Sequence, residues 1–141
     1  MADMIGIIIL SHGRLAEVLV ETAQMIMGPQ EHLHGIPFTA KDSLESLRTR
    51  ARESLSSYQE QGCLILTDII GGSATNICVD FLAQPTIRVV TGVSLPMVLD
   101  ALGHRAKLPI AELARHVCDS GSRAIIDVKE FMEKRSGKKS L

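Results

Sequence analysis

The first apolar run, Met4-Ile5-Gly6-Ile7-Ile8-Ile9-Leu10, is unbroken and rich in β-branched residues, the pattern of a strand buried on both faces. It stops abruptly at Ser11-His12-Gly13. Leu15, Val18, Leu19, Thr22, Ala23, Ile26 and Met27 then recur at spacings of three and four, which predicts an amphipathic helix closed by Gly28-Pro29. From Glu31 to Phe38 the apolar residues Leu33, Ile36 and Phe38 are separated by His34, Gly35 and Pro37, as in a strand near a sheet edge. Asp42 or Ser43 can cap a second helix with Leu44, Leu47, Ala51, Leu55 and Tyr58 on its inner face, stopped by Gly62.

The buried-strand pattern returns at Cys63-Leu64-Ile65-Leu66-Thr67 and delivers Asp68, followed by Ile69-Ile70-Gly71-Gly72-Ser73-Ala74-Thr75-Asn76. Ser73 is placed to cap a third helix through Ile77, Cys78 and Phe81, which Pro85 ends. Thr86 to Thr91 predicts a fourth strand, Gly92 to Met97 a turn into a short helix ending near Gly103, and Pro109 opens a further helix closed by Gly121. Ala124 to Val128 fits either a final strand or the start of a last helix, and Lys134 to Leu141 reads as a polar, frayed tail. The expected division is therefore one domain, residues 1–133, and a disordered tail, 134–141.

Four strands separated by helices imply right-handed crossovers and a parallel sheet covered by helices on both faces. In the commonest small arrangement the first and third strands are neighbours and the chain order reverses between them. That places His12 beside Asp68 across one interstrand spacing of about 4.8 Å, at the strand ends where ligands bind.

Composition narrows what such a crevice does. In 141 residues the chain carries a net charge of −1, so there is no broad basic footprint for nucleic acid. No apolar run approaches a membrane span and no secretory signal opens the chain, so a cytoplasmic protein without direct membrane insertion is expected. Cys63, Cys78 and Cys118 are widely spaced and read as small buried hydrophobes rather than metal ligands. Phe38, Tyr58, Phe81 and Phe131 are the only aromatic residues, which leaves few platforms for a flavin or for stacked bases.

The chemistry that needs His12 beside Asp68 is nucleophilic. A neutral imidazole attacks through one nitrogen and keeps its proton on the other, where a carboxylate fixes the tautomer and steadies the cation that forms. The backbone amides of Gly71, Gly72 and Ser73, with the Ser73 hydroxyl, can bind phosphoryl oxygens at a helix start. Ser11 and Gly13 are candidates for the same anion pocket. Taken singly, each of these is ordinary strand-end or turn chemistry, and the argument rests on the two strand ends together. His32 and His34 read as exposed edge polarity, His104 and His116 as helical surface residues, and Arg48, Arg50 and Arg52 as a solvated helix face; no metal site and no cofactor are expected.

Three ordered stretches carry a more specific signal: Ile9-Leu10-Ser11-His12-Gly13, Leu64 through Asp68 and Gly71-Gly72-Ser73 to Asn76, and Gly92-Val93-Ser94-Leu95-Pro96-Met97. With them the chain resembles the IIA component of the mannose family of the phosphoenolpyruvate-dependent sugar phosphotransferase system, from the first strand to about Phe131. The resemblance implies that His12 is phosphorylated by HPr and passes the group to a IIB component, with Asp68 orienting the imidazole and Ser73 holding phosphoryl oxygens. It also implies a homodimer that exchanges a fifth, antiparallel strand, for which Ala124 to Val128 is the candidate. Two residues depart from the family pattern: Ala74 stands where proline is usual, and Ser94 where asparagine is common. No IIB domain is present in these residues, so the partner is expected on another polypeptide.

Other readings compete. A regulatory phosphoprotein would keep the chemistry of His12 and signal without sugar transport. A histidine phosphatase needs an arginine where Ser11 stands. A flavodoxin-like module lacks its aromatics, and a receiver domain lacks its acidic pair after the first strand.

Overall fold

A computed structural model describes residues 3–137. Four strands, β1 (Gly6–His12), β2 (Leu33–Phe38), β3 (Cys63–Thr67) and β4 (Ile87–Val90), form one sheet in the order β2-β1-β3-β4. Every pairing is parallel, with Ile7 opposite Leu33 on one side and Leu64 on the other. The expected neighbourhood of the first and third strands is present, and the strand with Pro37 lies at an edge.

The period of two along β1 divides the core. Ile7 and Ile9 pack with Leu64, Leu66 and Val90 beneath α1 (Leu15–Met27), α4 (Leu95–His104) and α5 (Ile110–Arg123). Ile8 and Leu10 point the other way and meet α2 (Leu44–Leu55) and α3 (Ser73–Cys78) through Leu47, Ala51 and Ile77. Both faces are dry, which is why β1 and β3 read as continuous apolar runs.

Several boundaries differ from expectation. The α5 helix does not close at Gly121 but continues to Arg123, and the glycine serves packing instead: a Cβ on it would stand 2.8 Å from Met97 Cγ. No strand forms at Ala124 to Val128. Asp127 instead caps a last helix, α6 (Val128–Arg135), by accepting from Glu130 N–H at 3.2 Å. That helix extends into the expected tail, with Lys134 paired to Glu130 at 3.0 Å, and residues 138–141 lie outside the described ones. Cys63 and Cys78 are buried as expected, whereas Cys118 is exposed on α5.

His34 is exposed on the edge strand β2, as expected, but its ring tip turns in together with that of half-buried His32. His32 lies just before β2 with φ +54°, and both rings meet the hydroxyl of the buried Tyr58, His32 Nδ1 at 3.0 Å and His34 Nε2 at 2.6 Å. Burial, followed by the nearby His32 and Arg105, holds the His34 pKa below the ordinary histidine value. Below about pH 6.5 the unfolded chain therefore takes up a proton that folded His34 refuses, and stability falls as pH drops. Urea midpoints measured at pH 7.5 and 5.5 should decline more steeply in the wild type than in His34→Gln. Equal slopes would remove His34 from the account.

Candidate active site

His12 is the last residue of β1, on the same face as Ile8 and Leu10, but beyond the helices that cover them. Its side chain is 47% exposed while that of Asp68, at the end of β3, is 12% exposed. The two meet closely: Asp68 Oδ2 accepts from His12 Nδ1 at 2.7 Å and from the His12 backbone N–H at 2.9 Å. Oδ1 accepts from Ile69 N–H at 2.9 Å. Burial pushes the Asp68 carboxyl up, but these bonds outweigh it and hold the group below its ordinary range.

An ionised carboxylate only accepts hydrogen bonds, so the proton of neutral His12 resides on Nδ1 and the lone pair on Nε2. Asp68 therefore fixes the tautomer that leaves the Nε2 lone pair free.

The loop after β3 is built around this ring. Gly71 turns with φ +81°, and Gly72 passes so near that a Cβ on it would lie 3.1 Å from His12 Cε1. Gly72, in extended geometry, is the N-cap of α3, and Ser73 is its first helical residue with no capping bond from the Ser73 side chain. The helix begins one residue earlier than expected because the close passage over His12 requires glycine at the cap. The first N–H that α3 uses internally is that of Asn76, donated to Gly72 O at 2.9 Å, so the amides of Ser73 and Ala74 precede its hydrogen-bonded ladder.

Two expected members of the anion pocket fall elsewhere. Ser11 is fully buried on the opposite face, in line with Ile7 and Ile9, as a period of two requires. The Gly13 amide is already donated to Phe38 O at 2.8 Å.

Two threonines that sequence reasoning passed over hold the loop. Thr75 Oγ1 donates to Ile69 O at 2.6 Å, so the 2.7 Å contact between Thr67 and Thr75 has Thr67 as donor. Thr67 is fully buried, and its polarity inside an apolar strand was the available signal. The Gly92 to Met97 stretch backs the site through Gly92 N–H to Asp68 O, 3.1 Å, and Val93 N–H to Thr67 O, 2.9 Å. Ser94 caps α4 with extended backbone and makes no capping bond with its side chain. Burial raises the Cys63 thiol and pushes that of Cys78 up to about 12, which leaves neither as a competing nucleophile.

The fold and site together define a doubly wound α/β domain with a tautomer-locked histidine at its topological switch point. A family model described as the fructose IIA component of the phosphotransferase system matches residues 6–118. The chain belongs to this mannose-type family of phosphotransferase-system IIA components. It is 29% identical over 133 residues to the fructose-specific EIIA component of Bacillus subtilis, covering 93% of this chain and 91% of that one. It is 32% identical to the mannose-specific EIIAB component of Escherichia coli K12, of which it spans 40% while 89% of its own length is matched. Among solved structures, the EIIA component from Streptococcus agalactiae superposes with a TM-score of 0.84 at 28% identity, over 89% of this chain and 98% of that one. The mannose/sorbose-specific IIA subunit from Enterococcus faecalis gives 0.80 at 28% identity, over 88% and 94%.

Among the described residues no helix is long and apolar enough to cross a membrane.

Proposed function

We propose that the chain is a cytoplasmic phosphohistidine carrier that accepts a phosphoryl group from HPr on His12 and passes it to a IIB component for sugar uptake. The observation that carries this reading is the 2.7 Å bond from His12 Nδ1 to Asp68, which leaves Nε2 as the nucleophile on a half-exposed ring. As Nε2 bonds to phosphorus, the bond from phosphorus to the donor breaks, the proton stays on Nδ1, and Asp68 balances the imidazolium charge. The amides of Gly71, Gly72 and Ser73, with the Ser73 hydroxyl, are the donors for the phosphoryl oxygens. Exposed Ile69 and Ile70, at 57% and 80%, give the rim an apolar footing for a protein donor or acceptor.

The test is incorporation of label from phosphoenolpyruvate through enzyme I and HPr under conditions that preserve acid-labile phosphohistidine. One phosphoryl group per chain is expected. No incorporation from demonstrably charged HPr would overturn the reading.

The same reading includes a homodimer. Ile125, Ile126 and Val128 are exposed by 87%, 47% and 69%, and α6 buries none of its residues, so this apolar end offers a surface for a second copy. Light scattering should return about twice the 15.3 kDa of one chain. A monomer at tens of micromolar would remove the dimer.

A further inference from the structure

We propose that Asp100, His104 and His116 form a binding site for a divalent metal of the zinc class, joining α4 to α5 away from His12. Asp100 and His104 stand one turn apart on α4, and His116 comes from α5, which packs alongside. His116 Nδ1 lies 2.7 Å from Asp100 Oδ2, and His104 Nδ1 lies 3.2 Å from Asp100 Oδ1 and 2.9 Å from the Asp100 carbonyl. The imidazole centroids are 4.2 Å apart with ring planes inclined by 36°. Each of the three residues can offer one ligand atom within 4.8 Å of the others.

Three features favour an ion over a plain hydrogen-bond cluster. Two imidazoles and one carboxylate are the donor set of open zinc sites, with water in the fourth position. Imidazole donors select zinc, copper or nickel over magnesium and calcium. The carboxylate is anchored, since Ser120 Oγ donates at 2.8 Å to Asp100 Oδ2, the oxygen that also meets His116, an outer-sphere support of the kind metal ligands use. The imidazoles are 40% and 36% exposed against 15% for Asp100, so an anchored carboxylate faces two rings that solvent can reach. Bonds of about 2.0–2.1 Å draw ligand atoms closer than 4.8 Å, and the partly exposed rings have room to turn inward. Cys118 is two residues from His116 and so projects from another side of α5, which leaves it outside the set.

Nothing in the sequence spacing reveals the site, because His116 is supplied by a separate helix. The proposal stands apart from the phosphocarrier reading, and its readouts do not depend on phosphoryl transfer.

The experiment is titration of the full chain with zinc chloride against a chromophoric chelator, with Tm followed in parallel. The wild type should take up one equivalent that raises Tm. His116→Gln should lose that equivalent and its Tm gain, and Ser120→Ala should weaken binding by about tenfold or more. Cys118→Ser and His34→Gln should keep both. Circular dichroism of His116→Gln establishes that the variant is folded, and should it unfold, His104→Gln is read in its place. Zinc uptake unchanged in these histidine variants, or no uptake by the wild type below millimolar zinc, would overturn the proposal.

Discussion

Phosphoryl incorporation from charged HPr falls by at least about a thousandfold in His12→Ala, the scale of loss when a nucleophile is removed. The loss is chemical and not structural. His12 is half exposed, and its ring makes one strong bond, to Asp68, so truncation costs about 1–2 kcal/mol and the sheet beneath remains. No other histidine is placed to substitute. His34 pairs with Ile8 in the register and lies roughly 13 Å back along the strands, while His104 and His116 converge on Asp100. Asp68→Asn gives the graded counterpart. Its amide can hydrogen-bond to either tautomer and carries no charge to balance the imidazolium, so transfer slows by tenfold or more while label is still acquired. Rapid-quench measurement of single transfers separates the two variants. Label retained by His12→Ala would move the acceptor elsewhere, and an unchanged rate in Asp68→Asn would break the pairing from which the nucleophilic nitrogen is deduced.

What could be read from the sequence follows from where information is local. The end of β1 was legible because the change from apolar run to Ser11-His12-Gly13 marks a strand end, and its juxtaposition with Asp68 follows from a common topology. Ser11 was misplaced because the strand reads as stopping there, whereas β1 runs on through His12 and its period of two turns Ser11 to the opposite face. The start of α3 was off by one because side-chain capping preference favoured Ser73, whereas close approach to His12 decided for Gly72. The histidine clusters were invisible for a different reason. Tyr58 gathers His32 and His34, and helix packing gathers His116 with Asp100, through contacts that lie 16 to 26 residues apart.

Arg105 shows the same limit with a larger energetic consequence. In sequence it is one more basic residue near the end of a helix, where the dipole favours it. In the fold it is 6% exposed, and its guanidinium serves four acceptors: Ile5 O at 3.3 Å, His32 O at 2.9 Å, Glu31 O at 2.6 Å and Gln30 Oε1 at 3.4 Å. Burial lowers its pKa, with Tyr58 and Glu31 opposing the shift, yet an arginine keeps its charge. The fork thus ties the start of β1 to the chain entering β2 and to the end of α4. Arg105→Leu removes the donor from Ile5 O, Glu31 O and the Gln30 side chain, while His32 O keeps Ile7 N–H at 3.0 Å, and we expect a loss of about 3 kcal/mol. Arg105→Lys keeps the charge but replaces the planar fork with a single ammonium that cannot reach both arms, so about half of that loss is expected. Urea unfolding with an unchanged m-value is the measurement. A loss below about 1 kcal/mol in the leucine variant would mean that water or a shifted backbone satisfies the carbonyls, and that the clamp is dispensable.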